Sequence, residues 1–248
     1  MKGDIGIRKT IRILGIDINA FTYRDFLRLA SDTIIDNSKV TVGYANALTL
    51  SRCSRDEDAK RALESMDFIH PDGAGVFTAS MFLYGKDSLP ERITGSDFYP
   101  MLVRQCIEYG HSVYFFGHRK SNLELIHKNH PELSIAGVHE GYDFEDEEVV
   151  RQINRSGAQI LLVGLSFPLQ EKWIAANKEK LNSNLILAVG DGIRVFSGEK
   201  SRGPAFMRKA GLEWLARVAA EPSVYFGRYA SGIPEFAVKV LKQKLLSR

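Results

Sequence analysis

The chain is poor in cysteine. Of its 248 residues only Cys53 and Cys106 carry thiols, and no C-x-x-C is present. A disulfide framework and a thiolate metal centre are therefore excluded, and both cysteines read as small buried hydrophobes. Long apolar runs are missing too. The longest, around Ile160–Leu165 and Leu185–Val189, have the length of strands, far short of the roughly 20 residues that cross a bilayer. The first residues, MKGDIGIRKTIRILG, scatter charge throughout and hold no signal-peptide core, so an untargeted cytoplasmic chain is expected. The histidines at 70, 111, 118, 127, 130 and 139 form no H-x-x-x-H or H-E-x-x-H pattern. No Asp-x-Asp is placed to suit a metal-bridged nucleotide sugar, and Asp143-Phe-Glu145-Asp146 reads as a solvated helix start. Neither G-x-G-x-x-G nor G-x-x-x-x-G-K-[ST] occurs. No metal and no cofactor is expected, and a dinucleotide-dependent oxidoreductase is disfavoured.

What is there is globular: 44% apolar and 25% charged residues, too apolar for a disordered chain. The net charge of +3 conceals a division. Residues 201–248 hold nine basic and three acidic residues, a net of +6, and the first 200 residues carry −3. Such asymmetry points to an anionic partner for the tail, whether nucleic acid, lipid headgroups or a phosphorylated substrate.

Short apolar segments alternate with helical patterns. Strands are expected at Val40–Ala45, Asp67–His70, Ser112–Gly117, Ser134–His139, Gln159–Leu165 and Leu185–Gly190, with Ile11–Ile18 as a peripheral strand. Helices are expected at Thr22–Asn37, Gly73–Tyr84, Ser96–Tyr109 with Ser96 as cap, Asn122–Asn129, Glu145–Ser156 and Leu169–Leu181. The alternation implies an α/β fold, a mostly parallel sheet covered on both faces. After Gly190 strand signals cease. Two helices, Met207–Ala220 and Pro222–Leu246, are expected, the second kinked or divided at Gly232 and Pro234. The expected division is a core of residues 1–198 and a basic helical appendage of residues 199–248.

In open parallel sheets ligands bind at the carboxyl ends of the strands. Asn46, Pro71-Asp72-Gly73, Gly117-His118-Arg119, Gly164-Leu165-Ser166 and Gly190-Asp191-Gly192 all fall at such ends. Glycine admits close backbone approach, and a following helix N-terminus favours an anion; each segment is also a plain βα turn. Asp72 is placed for general-base work or as a helix cap. Arg92-Ile-Thr-Gly95-Ser96-Asp97 either clamps phosphate or caps a helix.

The segments HPDGAGV (70–76), PERITGSD (90–97), VYFFG (113–117), VGLSFPLQEKWI (163–174) and RGPAFMRKAGLEWLARVAAEPSVYFGRY (202–229) occur in a fixed order. Together they resemble the WecG/TagA/CpsF family, glycosyltransferase family 26, over nearly the whole chain. The resemblance implies a Rossmann-like core with a C-terminal appendage that engages the membrane, and assembly into homo-oligomers. It implies inverting, metal-independent transfer from a UDP-sugar to a saccharide on undecaprenyl diphosphate, at the inner face of the plasma membrane, in exopolysaccharide or cell-surface polysaccharide synthesis. Carried over by position, Asp72 is the implied base, with Asn46 and Tyr44 beside it. Arg92, Asp97, Gly164, Gln170, Glu171, Gly190 and Asp191 are implied substrate contacts. Arg202, Arg208, Lys209, Arg217 and Arg228 are implied to meet lipid diphosphate or membrane. Tyr44 stands where the family has Thr, Ser166 where it has Gly, Gly203 where it has Ala and Val224 where it has Arg. Trp214, Tyr225, Phe226, Tyr229 and Phe236 are expected to lie on anionic lipid among the tail's cations. The competing reading is a nucleotide- or nucleic-acid-binding α/β module without glycosyl transfer; no nucleic-acid motif supports it, and no nucleic-acid partner is expected.

Overall fold

A computed structural model describes residues 9–200 and 203–246, without the side chains of residues 205, 209 and 228. The chain opens with β1 (Thr10–Ile13) and β2 (Ile16–Asn19), followed by α1 (Tyr23–Ile35), β3 (Val40–Ala45), α2 (Ala47–Cys53), α3 (Glu57–Glu64) and β4 (Phe68–Pro71). Next come α4 (Ala74–Tyr84), α5 (Gly95–Tyr109), β5 (Val113–Gly117), α6 (Lys120–Asn129), β6 (Ile135–His139) and α7 (Asp146–Ser156). Then follow β7 (Ile160–Gly164), α8 (Leu169–Asn177), β8 (Leu185–Ala188) and the short α9 (Ile193–Phe196). The last described elements are α10 (Ala205–Lys209), α11 (Glu213–Ala220) and α12 (Pro222–Leu246).

Six strands form a sheet in the order β4-β3-β8-β7-β5-β6, and every pairing is parallel. Buried parallel strands are apolar on both faces, and alternate residues here feed two cores. Leu161, Val163, Tyr114 and Phe116 face a layer closed by β1, β2, α4, α7, α8 and α12. Ile160, Leu162, Val113 and Phe115 face a layer closed by α1, α5, α6 and α9. The architecture is the Rossmann-like α/β arrangement expected, with a helical C-terminal segment packed on it. The chain runs outward from β3 to β4 at one edge, then crosses to β5 and β6 at the other. The intervening positions fill last, so the strand order reverses beside β3 and opens a crevice at the carboxyl ends.

Several local expectations change. Ile11–Ile18 is not one strand but an antiparallel hairpin apart from the main sheet. It turns at Leu14 and Gly15, both at positive φ (49° and 84°). The strand expected at 67–70 lies one residue later and ends on Pro71, which an edge strand tolerates. Helix α5 is capped by Thr94, whose hydroxyl accepts the Asp97 N–H, and not by Ser96. Helix α8 stops at Asn177, short of Leu181. The expected helix 207–220 is two helices, broken at Gly211 with φ 75°. Conversely, α12 is continuous: Gly232 and Pro234 do not divide it. Gly232 instead admits α2, since a Cβ there would stand 2.2 Å from Leu48 Cδ2. Helices α2 and α3 had no expectation at all; Asn46, expected at a strand end and beside the base, caps α2 by accepting the N–H groups of Leu48 and Thr49.

Candidate active site

The carboxyl end of β4 presents Asp72 on a braced turn. The Asp72 N–H donates to Ala45 O at the end of β3 (2.8 Å), and the Gly73 N–H donates to Ile93 O (2.8 Å). Buried His70 donates from Nδ1 to Pro71 O (2.9 Å); burial pushes its pKa down, so the ring stays neutral with a bare Nε2. Asp72 does not cap α4, whose first residue follows Gly73 at φ 90°. Its Oδ1 accepts the Gly95 N–H at the start of α5 (2.9 Å). The cap expected for the helix 73–84 is therefore absent, and Asp72 binds the first residue of α5 instead.

Three arginines gather near it from distant parts of the chain. Arg92 donates to Arg208 O (3.0 Å), drawing the α10–α11 turn over the start of α4, where a Cβ on Gly211 would lie 2.8 Å from Ala74 Cβ. Arg217 donates to Glu213 (2.7 Å) and to Ser96 Oγ (3.3 Å). Burial opposes its charge, yet Glu213 and nearby Asp72 hold its pKa above the ordinary arginine value. The Nε atoms of Arg208 and Arg217 are buried without a hydrogen-bond partner, an arrangement that an anionic ligand would satisfy.

These groups line a cavity of about 620 Å³ between α4 and the C-terminal helices, within the usual range for small-molecule sites. Asn46, Asp72 and Thr94 with the arginines form its polar end; Phe82, Ile233, Phe236, Val240 and Leu241 form its apolar end. The N-terminus of α4, which no side chain caps, adds a partial positive charge at the polar end.

Other residues expected to touch substrate lie elsewhere. Gln170 and Glu171 are 0% exposed. Gln170 donates to Glu171 (2.7 Å) and accepts the Gly190 N–H (2.9 Å). They therefore hold the Gly190 turn and reach no ligand surface. Burial pushes the Glu171 carboxyl up to about 7. Gly164 leaves room for Ile193, not for substrate: a Cβ there would stand 2.1 Å from Ile193 Cγ1. Asp97 accepts from the Thr94 hydroxyl (2.9 Å) in the α5 cap. The Tyr44 hydroxyl packs against Gly190, 2.7 Å from where a Cβ would be; burial, then Glu171 and Asp72, raise its pKa. It does not line the cavity.

Asp191 anchors a second cluster that sequence reading missed except for Asp191 itself. Lys200 Nζ lies 2.8 Å from its carboxylate and His118 Nε2 3.8 Å. Tyr225, on α12, donates its hydroxyl to Asp191 (3.2 Å). Burial alone would raise the Asp191 pKa, but His118 and Lys200 hold it well below the usual carboxylate range. Arg194 of α9 grips Glu221 through two nitrogens at 2.6 and 3.2 Å. These contacts clamp the α11–α12 junction to the sheet. The only sequence hints were His118 and Asp191 at strand ends.

The tail aromatics are also placed differently from expectation. Tyr225 and Phe236 are buried, and Trp214, Tyr229 and Phe236 line the cavity. Of the five, Phe226 is the exposed one. The exposed apolar side chains of the second half of α12 are instead Val238, Leu241, Leu245 and Leu246, of which Leu241 lines the cavity. Arg202 and the side chains of Lys209 and Arg228 lie outside the described residues. Among the described residues no helix is long and apolar enough to cross a membrane, and no group of three His, Cys, Asp or Glu side chains is placed to hold a metal ion.

A parallel α/β sheet with a carboxylate and a cluster of arginines at its carboxyl ends suits an anionic ligand such as a phosphate. The sequence model of the family described as "Glycosyl transferase WecG/TagA/CpsF family" matches residues 11–248; the chain belongs to this family of glycosyl transferases. It is similar to the N-acetylglucosaminyldiphosphoundecaprenol N-acetyl-beta-D-mannosaminyltransferase of Staphylococcus aureus strain NCTC 8325 / PS 47. The two are 28% identical over 244 residues, 94% of this chain and 93% of the relative. The enzyme of that name from strain MRSA252 is similar to the same extent, 28% over 244 residues.

Proposed function

We propose that this protein transfers a hexose or N-acetylhexosamine, with inversion and without a metal, from a UDP-sugar to a saccharide carried on undecaprenyl diphosphate. The observation that carries the reading is the convergence of Asp72 with Arg92, Arg208 and Arg217 at one end of a single cavity. Asp72 takes the proton of the acceptor hydroxyl, whose oxygen attacks the anomeric carbon and forms the new glycosidic bond. The bond from that carbon to the UDP oxygen breaks, and UDP leaves with its electron pair. The arginines and the α4 N-terminus stabilise the diphosphate charge. The activity named for the Staphylococcus relatives supports both the lipid diphosphate acceptor and the amino-sugar class. Family membership favours transfer over a module that only binds nucleotide or nucleic acid.

Residues 199–248 act in this reading as an appendage that completes the site and rests on the inner face of the plasma membrane. Met81 and Phe82 on α4 and Val238, Leu241, Lys242 and Leu245 on α12 are exposed, with Phe82 and Leu241 lining the cavity, a mixture suited to an anionic bilayer surface. Self-association belongs to the same proposal, resting on the family resemblance. The test is a screen of UDP-sugars against polyprenyl-diphosphate-linked mono- and disaccharides, read by mass spectrometry. A product one sugar heavier, with UDP released, is expected; release of UDP alone, or no reaction with any pair, removes the reading. Hydrogen–deuterium exchange with anionic vesicles tests the membrane contact, and unchanged exchange across residues 205–246 removes it.

A further inference from the structure

The cavity changes character along its length. On α4 the lining residues are Ala74, Gly75, Thr78, Ala79 and Phe82, a single helical stripe by spacing. At 1.5 Å per residue they run about 13 Å from the Asp72 turn. Ile233, Phe236, Ala237, Val240 and Leu241 form the facing stripe on α12. Every charged lining residue, namely Asp72, Arg92, Arg208, Glu213 and Arg217, gathers at the first turn of α4. Beyond Thr78 the described walls are apolar as far as the mouth, where Lys244 donates to Leu83 O (2.6 Å) and stands 5.9 Å from the Phe82 ring.

We propose that the apolar half is a trough for the first isoprene units of the acceptor's lipid chain. The inference rests on the acceptor class named above and adds where its lipid lies. A polyprenyl diphosphate is ordered as the cavity is: anionic group first, apolar chain directly after it. The small residues Ala74, Gly75 and Ala79 keep the slot open, and Thr78 and Ala237 stay exposed within it. A polar substrate would lack hydrogen-bond partners there. A bilayer face does not fit a slot between two helices, whereas one extended chain does. The exposed Met81, Leu241 and Leu245 at the mouth then hand the remaining chain to the membrane.

The test is calorimetric titration of the full chain with farnesyl diphosphate and with inorganic diphosphate, in the absence of vesicles and below the lipid's aggregation concentration. The farnesyl compound is expected to bind about tenfold tighter or more, because burying each methylene favours binding. Ala237→Trp and Thr78→Trp, both at exposed positions, are expected to abolish that gain and to keep the affinity for inorganic diphosphate. Retained cooperative melting certifies the fold of each variant. Equal affinity of the wild type for both ligands overturns the trough, as does a gain that survives both tryptophans. A gain seen only with vesicles present assigns the chain to the bilayer and also overturns it. Because binding is read without turnover, failure of the sugar-transfer screen leaves this result independent, and the reverse holds.

Discussion

One oxygen of the Asp72 carboxylate accepts the Gly95 N–H at 2.9 Å, tying the end of β4 to the start of α5 across 23 residues of chain. The bond fixes the carboxylate plane and leaves the second oxygen for the cavity that Asp72 lines. Asparagine keeps an oxygen for Gly95 and loses the basic function. Asp72→Asn is therefore expected to lower transfer about a hundredfold to ten-thousandfold, with UDP affinity retained, as measured by steady-state kinetics and titration. Full activity in the variant removes Asp72 as the base.

Arg208 leaves a buried Nε without a partner, so its removal strands no internal acceptor at that atom. Arg208→Ala is expected to weaken UDP binding by about tenfold to a hundredfold, the loss of one charge-assisted hydrogen bond worth about 1.5–3 kcal/mol. The melting temperature should barely move. Titration calorimetry beside differential scanning calorimetry separates the two effects.

Glu171 gives the protein a pH dependence of a particular sign. Its carboxyl is raised from 4.5 to about 7 by burial, so the folded chain keeps a proton that the unfolded chain has already lost. This contribution is fully present below about pH 4.5, declines as pH rises through 7, and is flat above it. Between pH 5 and 8 it costs on the order of 2 kcal/mol. Glu171→Gln is expected to remove that slope, measured as the difference between wild-type and variant urea-unfolding free energies at the two pH values. An identical slope in both proteins excludes Glu171 as its source.

The sheet was legible because its central strands are short continuous apolar runs, VYFFG and ILLVG above all, of strand length, each ending on glycine. Asp72 could be picked out because it follows a strand where open parallel sheets bind ligands, and the tail arginines because the tail's charge departs from that of the core. Gln170 and Glu171 were expected at the substrate from the family resemblance alone; only the tertiary fold shows them buried, with Gln170 bridging Glu171 and the Gly190 N–H. The tail aromatics misled for the opposite reason. On a helix of mixed cations and rings, the sequence leaves open which face meets protein, and the packing of Gly232 on Leu48 sets that rotation. The Lys200–Asp191–Tyr225 cluster joins residues too far apart in sequence for any local pattern.

Gly117 and Gly164 pair at the ends of β5 and β7, and a Cβ on Gly117 would lie 2.5 Å from the Gly164 carbonyl carbon, with φ at 121°. Backbone cannot rotate aside as a side chain can. Gly117→Ala is expected to destabilise the fold by about 3 kcal/mol or more, read from chemical denaturation; a change under about 1 kcal/mol contradicts the close approach.

Helix α12 closes the molecule on its own beginning. Gln243 accepts the Leu14 N–H (2.8 Å) and donates to Arg12 O (3.0 Å), joining residues that lie 229 and 231 positions apart. During synthesis the sheet and the Asp72 turn are complete long before residues 222–246 leave the ribosome. A nascent chain therefore carries Asp72 but no enclosed cavity. It gains the α12 wall of that cavity, and the core contacts of Phe236 and Val240, only with its last described helix.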